Sequence, residues 1–249
     1  MRLAAIILNQ NENTMGQKVN PVAFRVGVME TWKSRWYASK SEFAEFLLED
    51  KKIRDFIGKH PTQNYKAAGI DKIEIERTRD EVKVTLFVAR PGLIIGKKGQ
   101  EVERLQNEIQ NLVGRRINLK IEEVSRPDLQ AQLVAEKICE QLSRRASFRR
   151  TMKRAAEESM DAGAKGVKIQ LAGRLGGAEM ARREKHISGS IPLSTLRAKI
   201  NYGFAEALTA QGHIGVQVWV NQGNYGEEDN GADAKTGQAS KSPKRSYKR

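Results

Sequence analysis

The chain has 249 residues, with 44 Lys and Arg against 30 Asp and Glu, a formal net charge of +14. So large a surplus repels the folded chain against itself and is ordinarily held in check by a polyanion. That puts nucleic acid or an acidic membrane surface first among partners and argues against an ordinary soluble enzyme of balanced charge. With 39% hydrophobic and 30% charged residues, the length accommodates one large or two ordinary globular domains with basic extensions.

Met1 to Thr14 carries one charge of each sign, and its apolar run Leu3 to Leu8 is too brief for a secretory signal or a bilayer span. No later apolar run approaches the roughly 18 to 20 residues a spanning helix needs. Residues 15–40 form a basic N-terminal arm, with five cations against Glu30 alone. Residues 41–125 carry 16 basic and 15 acidic side chains, residues 126–222 carry 16 and 9, and residues 223–249 carry 6 and 4. The surplus therefore flanks a nearly neutral middle, which implies several contact surfaces and not one uniformly sticky body.

In the middle section, Ser41 is a fair N-cap for an amphipathic helix with Phe43, Phe46, Leu47 and Ile53 on one side, ending near Gly58 and stopped by Pro61. Alternation predicts strands over Lys72 to Thr78 and Glu81 to Ala89, joined as a hairpin at Arg79-Asp80. Pro91 and Gly92 end the second strand, a short Leu93-Ile94-Ile95 turn leads to Gly96-Lys97-Lys98-Gly99, and a helix runs to Val113 with Val102, Leu105, Ile109 and Leu112 at helical spacing. Gly114 closes it, and Ile117 to Val124 alternates as a last strand.

Arg126-Pro127-Asp128 punctuates the chain and marks the expected domain boundary, with Pro127 placed to start a helix. Helices are predicted over Asp128 to Ala146 and Phe148 to Ala162, the second capped by Gly163. Strands follow at Val167 to Ala172, Leu196 to Phe204 with Ala198, Ile200, Tyr202 and Phe204 on one face, and Gly215 to Val220. The stretch Arg182 to Ser188 is a candidate fourth strand. The tail from Gly223 to Arg249 has almost no large aliphatics and is expected to be disordered. It is either a solubility tail or a polyanion-binding arm, since five cations and no acid follow from Lys241 onward. Cys139 is the single cysteine, cannot form an internal disulfide, and reads as a core residue of a protein kept in the cytosol or an equivalent reducing compartment.

Gly-x-x-Gly occurs five times, starting at Gly96, Gly163, Gly173, Gly212 and Gly223, so the tetrapeptide alone selects nothing. Only the first lies between two short helices, after a hairpin and before an alternating strand. That context resembles a KH domain of the second, prokaryotic topology, in which the loop clamps the sugar-phosphate backbone of about four single-stranded nucleotides. Glycines let the main chain approach phosphate, the next helix offers free N–H groups, and Lys97 and Lys98 add charge. A plain helix-to-helix turn is the bland alternative. A nucleotide-binding P-loop fails, because three residues separate Gly92 from Gly96 and Lys98 stands where Ser or Thr would hold magnesium.

Arg144, Arg145, Arg149, Arg150, Lys153 and Arg154 put six cations in eleven residues with no acid among them. On a helix Arg149 stacks over Lys153 and Arg150 over Arg154, pairs that repel unless a phosphate chain lies beside them, while Phe148, Met152 and Ala155 point to the core. A solvated face is the alternative, disfavoured by the lack of acidic partners at these spacings.

Seven segments then carry a closer resemblance: Met15-Gly-Gln-Lys-Val-Asn-Pro21, Ala89-Arg-Pro-Gly92, Gly96 to Gly99, Arg144 to Arg154, Gly163-Ala-Lys-Gly166, Gly173-Arg-Leu-Gly-Gly-Ala-Glu179 and Ile214-Gly-Val-Gln-Val-Trp219. Over residues 15 to 222 the chain resembles the bacterial family of small-subunit ribosomal protein three. The resemblance implies an α+β fold: a type II KH domain over 41–125, then a second α+β domain over 126–222 with a mainly antiparallel sheet and two helices. It implies a cytoplasmic, ribosome-bound protein of the small-subunit head that binds ribosomal RNA and lines the channel by which messenger RNA enters, helping to open structured messenger. Small-subunit proteins four and five would be neighbours at the channel, and ten and fourteen in the head. The matching channel positions are Arg149, Arg150 and Lys153, with Arg144, Arg145 and Arg154 beside them. Lys18, Arg25, Lys33 and Arg35 are the candidate RNA contacts of the arm. The family's usual first residues coincide with Met15 and Gly16, so Met1 to Thr14 is expected to be a mis-chosen start, with a short genuine extension as the alternative.

No enzyme is expected, and no cofactor or metal. A nuclease carrying a KH module would need clustered carboxylates or a nucleophile with its base. His60, His186 and His213 are scattered, and no His or Cys spacing fits zinc. A free KH regulator, not bound to the ribosome, is the alternative function. Because the KH region contributes so little net charge, the surplus points past the glycine loop toward the helix after Ser147.

Overall fold

A computed structural model describes residues 18–58, 67–78, 81–96 and 99–226. The Arg79-Asp80 turn, His60, Pro61, Lys97, Lys98, the first 14 residues and the tail beyond Gly226 lie outside the described residues.

The chain begins with a short helix α1 (Pro21–Arg25) and a two-residue strand β1 (Ser34–Arg35). Asn20 caps α1 by accepting from the Val22 amide at 2.9 Å, and Pro21 fits the first helical position because its missing N–H has no partner there anyway. Next come α2 (Phe43–Gly58), β2 (Ile70–Arg77), β3 (Glu81–Val88), α3 (Pro91–Ile95), α4 (Gln100–Val113) and β4 (Arg116–Glu123). The sheet order is β1-β2-β3-β4. β2 and β3 are antiparallel, with Ile75 opposite Val84, while β3 and β4 are parallel, with Val82 opposite Ile117. A parallel pair needs a long crossover, and α3 and α4 supply it. Ile53, Ile57, Val84, Leu86, Ile94, Leu105 and Ile109 form the core between the sheet and these helices.

On α2 the buried face differs from the expected one. Leu47 is 53% exposed, and the face continuous with Ile53 and Ile57 runs back through Asp50, Glu49 and half-buried Phe46. Helical spacing from Ile53 selects those positions whatever their polarity, and Arg77 makes the burial of two acids possible. Its guanidinium, 3% exposed, donates to Asp50 at 2.8 Å through Nε and pairs with Glu49 through Nη1. Trp36 donates its indole N–H to Asp50 at 2.8 Å, and Arg115 adds a 3.2 Å bond to Glu49.

After β4 the chain enters a 3-10 turn (Pro127–Leu129) and then α5 (Ala131–Ser143), α6 (Phe148–Asp161), β5 (Gly166–Gly173), β6 (Arg182–Gly189), β7 (Ala198–Thr209) and β8 (Gly212–Asn224). The expected helix from Asp128 begins three residues later, because Gln130 is extended and its side chain accepts from Asn201, which turns the chain before α5 starts. Strand Arg182–Gly189 is present, and the sheet order is β6-β5-β8-β7, all antiparallel. β7 and β8 outrun their expected ends: Ala205, Ala207 and Gly212 give no alternating bulk for a sequence pattern to detect, yet they pair through to Thr209 opposite Gly212.

Ala198, Ile200, Tyr202 and Phe204 do share a face by strand alternation, and it is the face turned away from the helices. The helix side of β7 presents Gly203 and Ala207. A Cβ at Gly203 would stand 2.3 Å from the Ala131 carbonyl oxygen, so the first turn of α5 rests directly on the strand there. Ile138, Leu142, Met152, Ile169, Leu171, Val216 and Val218 fill the core between α5, α6 and the sheet.

The segment before α2 is no free arm over its described part. Ser34 and Arg35 extend the first sheet as a parallel edge opposite Ile75 and Glu76. Arg25, expected as an RNA contact, is 0% exposed and faces the second unit instead. It donates to the carbonyls of Ala198 at 2.6 Å, Thr195 at 2.7 Å and Leu193 at 3.2 Å, besides Pro21 in its own helix at 2.7 Å. Five N–H donors in a planar fork suit this convergence of carbonyls, and they leave nothing to offer a phosphate. The Tyr225 hydroxyl donates to Glu30, closing the same junction at the end of β8.

Candidate nucleic-acid interface

The glycine loop sits between α3 and α4. Pro91 opens α3, and Gly96 and Gly99, at φ 66° and 81°, take left-handed conformations that other residues adopt at a cost. A Cβ at Gly96 would stand 2.5 Å from Glu101 Cγ, so glycine here lets the first turn of α4 fold back over the loop. At Gly99 nothing lies within 4 Å, and the backbone is open to a ligand. Glu101 and Glu103 occupy the first turn of α4 and oppose the positive field of its N-terminus. The loop's geometry can approach a phosphate, while the charge for it rests on Lys97 and Lys98, outside the described residues.

The second candidate surface lies on α6. Its buried stripe is Thr151, Met152, Ala155, Ala156 and Ser159, which turns Arg149, Arg150, Lys153 and Arg154 outward, all exposed. Arg144 and Arg145 do not belong to this helix. Arg144 ends α5, and Arg145 takes a left-handed conformation at φ 61° in the tight turn between the helices. Acidic partners are present too, contrary to expectation. Glu157 and Glu158, one turn beyond the basic run, meet Lys153 at 3.7 Å and Arg154 at 2.9 Å, and Glu140 meets Arg144. Glu158 also accepts from Lys137 at 2.7 Å, and these cations hold its carboxyl below the usual carboxylate range. Among the described residues Arg145, Arg149 and Arg150 have no ion-pair partner.

Phe148 joins this face to the sheet. The Arg149 and Arg182 guanidiniums each lie 5.6 Å from its ring centroid, within cation–π range. Arg182 comes from β6, opposite Gly173, and so reaches the helix side of the sheet. The Gly173 motif builds the floor beneath: Leu175 is buried, Arg174 donates to the Ala178 carbonyl at 2.8 Å, and a Cβ at left-handed Gly176 would lie 3.7 Å from the Phe148 ring. Arg182 is thus a member of the basic face that the sequence reading missed. The signal available was its place in a strand whose opposite residue is fixed by the Gly173 turn.

Of the remaining arm positions, Lys18 and Lys33 are exposed, and Arg35 is committed to Glu74 at 2.7 Å and Glu76 at 2.9 Å. Cys139 is buried, and burial, reinforced by Glu136 and Glu206, pushes its thiol up to about 12, so it is inert at neutral pH. Among the described residues no three His, Cys, Asp or Glu side chains are grouped to hold a metal, and no helix is long and apolar enough to cross a membrane.

A family model described as "KH domain" matches residues 52–129, and one described as "Ribosomal protein S3, C-terminal domain" matches 138–220. The chain is 75% identical over 236 residues to "Small ribosomal subunit protein uS3" of Rhodopirellula baltica, a match that spans 94% of this chain and 100% of that protein. Proteins of the same description from Desulfatibacillum aliphaticivorans and Thermodesulfovibrio yellowstonii are 52% and 53% identical over 86% and 84% of the chain, and 96% and 94% of their own lengths. Motifs in order, a KH fold followed by an antiparallel C-terminal unit, and identity along nearly the whole length agree: the chain belongs to the bacterial uS3 family of small ribosomal subunit proteins.

Proposed function

We propose that the protein is a structural, non-enzymatic constituent of the small-subunit head, cytoplasmic and ribosome-bound. It holds ribosomal RNA through phosphate contacts and presents α6 to messenger RNA entering the subunit. The observation that carries the second part is the exposure of Arg149, Arg150, Lys153 and Arg154 along one side of α6, with Arg149 and Arg150 unpaired by any acid among the described residues. A separated strand can exchange its counterions for these side chains, which traps the open form of a messenger duplex while translocation elsewhere supplies the work. Ribosomal RNA contacts fall to Lys18, Lys33, the Gly96 to Gly99 loop and the outlying arginines of the basic face. Small-subunit proteins four and five are neighbours at the channel, and ten and fourteen in the head.

Phosphate contact has a direct signature. Replacing Arg149, Arg150 and Lys153 together by Ala is expected to flatten the salt dependence of RNA affinity by about two to three in slope, because three fewer counterions are displaced. The substitutions lie on an exposed face and leave the fold intact. A titration of the full-length protein against a hairpin with single-stranded flanks, over a range of salt, checks this. An unchanged slope would remove α6 from the RNA-contacting surface.

A further inference from the structure

We propose that the open face of the C-terminal sheet is a further RNA site, a stacking platform for unpaired bases with lysines placed for their phosphates. The proposal rests on the RNA-binding role given above and adds a surface to it.

Helices α5 and α6 cover one side of the sheet only. On the other side the strand registers align Lys168, Trp219 and Tyr202 in one row across β5, β8 and β7, and Lys185 and Phe204 in the next. The Arg25 junction covers this face at the end that holds buried Ala198 and Ile200, and leaves the rest accessible. Tyr202 and Trp219 rings meet at 5.3 Å with a 50° tilt, and Lys168 Nζ stands 4.5 Å from the Trp219 ring centroid. Phe204 is 46% exposed, and a Cβ at Gly215 would lie 3.7 Å from its ring, so the phenyl group lies over a glycine with its outer side toward solvent. Strand geometry spaces Tyr202 and Phe204 by roughly 7 Å, wide enough for separate bases.

The cations on this face gather at the Trp219 and Tyr202 row, while the acid Glu206, two residues beyond Phe204 on the same side, lies 4.0 Å from His213 toward the other end of the strand. Burial, and after it the charges of Lys18 and Lys185, lower the Lys168 pKa, so three cations gather with a mutual repulsion that an incoming phosphate would relieve. Arg183 stands on the same side of β6, opposite Ala172. An aromatic sheet face bordered by cations suits single-stranded nucleic acid, since every base has a π-face and a duplex hides it. Exposed Ile187 and Leu208 also lie on this side, as a protein-docking face would have them. The cluster of cations beside the paired rings favours RNA.

The test uses the full-length protein and a single-stranded oligonucleotide of about ten residues containing 4-thiouridine, free and annealed to its complement. Photo-crosslinks of the free strand are expected on Tyr202, Phe204 or Trp219. Phe204→Ala should weaken the single strand about tenfold at unchanged salt slope and leave the duplex unaffected. Lys168→Ala with Lys185→Ala should instead lower the slope. Crosslinks confined to other surfaces, with Phe204→Ala binding as tightly as the unaltered chain, would overturn the proposal. So would crosslinking of these three side chains to protein and not RNA in intact small subunits. The wider RNA-binding role is read separately, from the salt slope of the α6 variant.

Discussion

Gly203→Ala is expected to destabilise the C-terminal unit by about 3 kcal/mol or more, at the upper end of what overpacking does. Its Cβ would meet Ala131 O at 2.3 Å, Ala131 C at 2.4 Å and Gln132 N at 2.5 Å. All three are backbone atoms of the first turn of α5, and none can step aside by changing rotamer. The helix must lift from β7, and with it go Ile138 and Leu142, which fill the core against the sheet. α6 packs on the same core, so the basic face would lose its fixed position as well. Gly58→Ala is the control, since a Cβ there meets nothing within 4 Å and its φ is not left-handed. Amide hydrogen exchange on α5 should speed up in the first variant and not in the second. Equal protection in both would contradict the close packing of α5 on β7.

The second large effect is expected at Arg77. Its removal leaves Glu49 and Asp50, with side chains 9% and 5% exposed, without the cation that bridges them. Uncompensated buried charge is costly, and Arg77→Ala should destabilise the KH unit by about 3 to 5 kcal/mol. The loss comes from the acids left behind more than from the ion pair itself. Arg77→Met combined with Glu49→Gln and Asp50→Asn should therefore recover a substantial part, because the amide oxygen introduced in place of the Asp50 carboxylate can still accept from the Trp36 indole. Thermal melts of the two variants separate the explanations. A triple variant no more stable than Arg77→Ala would contradict the assignment of the loss to the acids left behind.

These two sites show where the sequence stops being informative. The order of elements in the KH unit follows from alternation at Val82, Val84 and Leu86, helical spacing at Leu105 and Ile109, and punctuation by Pro91 and Gly114. The acids Glu49 and Asp50 read as solvated positions, because nothing local signals a buried arginine 27 residues downstream. Nothing local marks Gly203, inside the predicted strand Leu196 to Phe204, as a packing site, and its purpose is visible only once a helix lies across it. Arg25 misled for the same reason: charge counts treat every cation as exposed, and this one is spent on carbonyls about 170 residues away. On α6 the outward turn of Arg149, Arg150, Lys153 and Arg154 was legible from Met152 and Ala155. The acidic partners Glu157 and Glu158 are also in the sequence, one helical turn beyond the basic run, where counting only within the run passes them by. Arg182 needed the strand register.

The role of α6 is tested most directly by reconstituting small subunits with the Arg149→Ala, Arg150→Ala, Lys153→Ala protein and timing translation through a stable messenger hairpin. Slower passage through the hairpin, with unstructured messenger decoded at the normal rate, is the predicted result. Equal rates through the hairpin for variant and unaltered subunits would contradict a part for this helix in opening messenger.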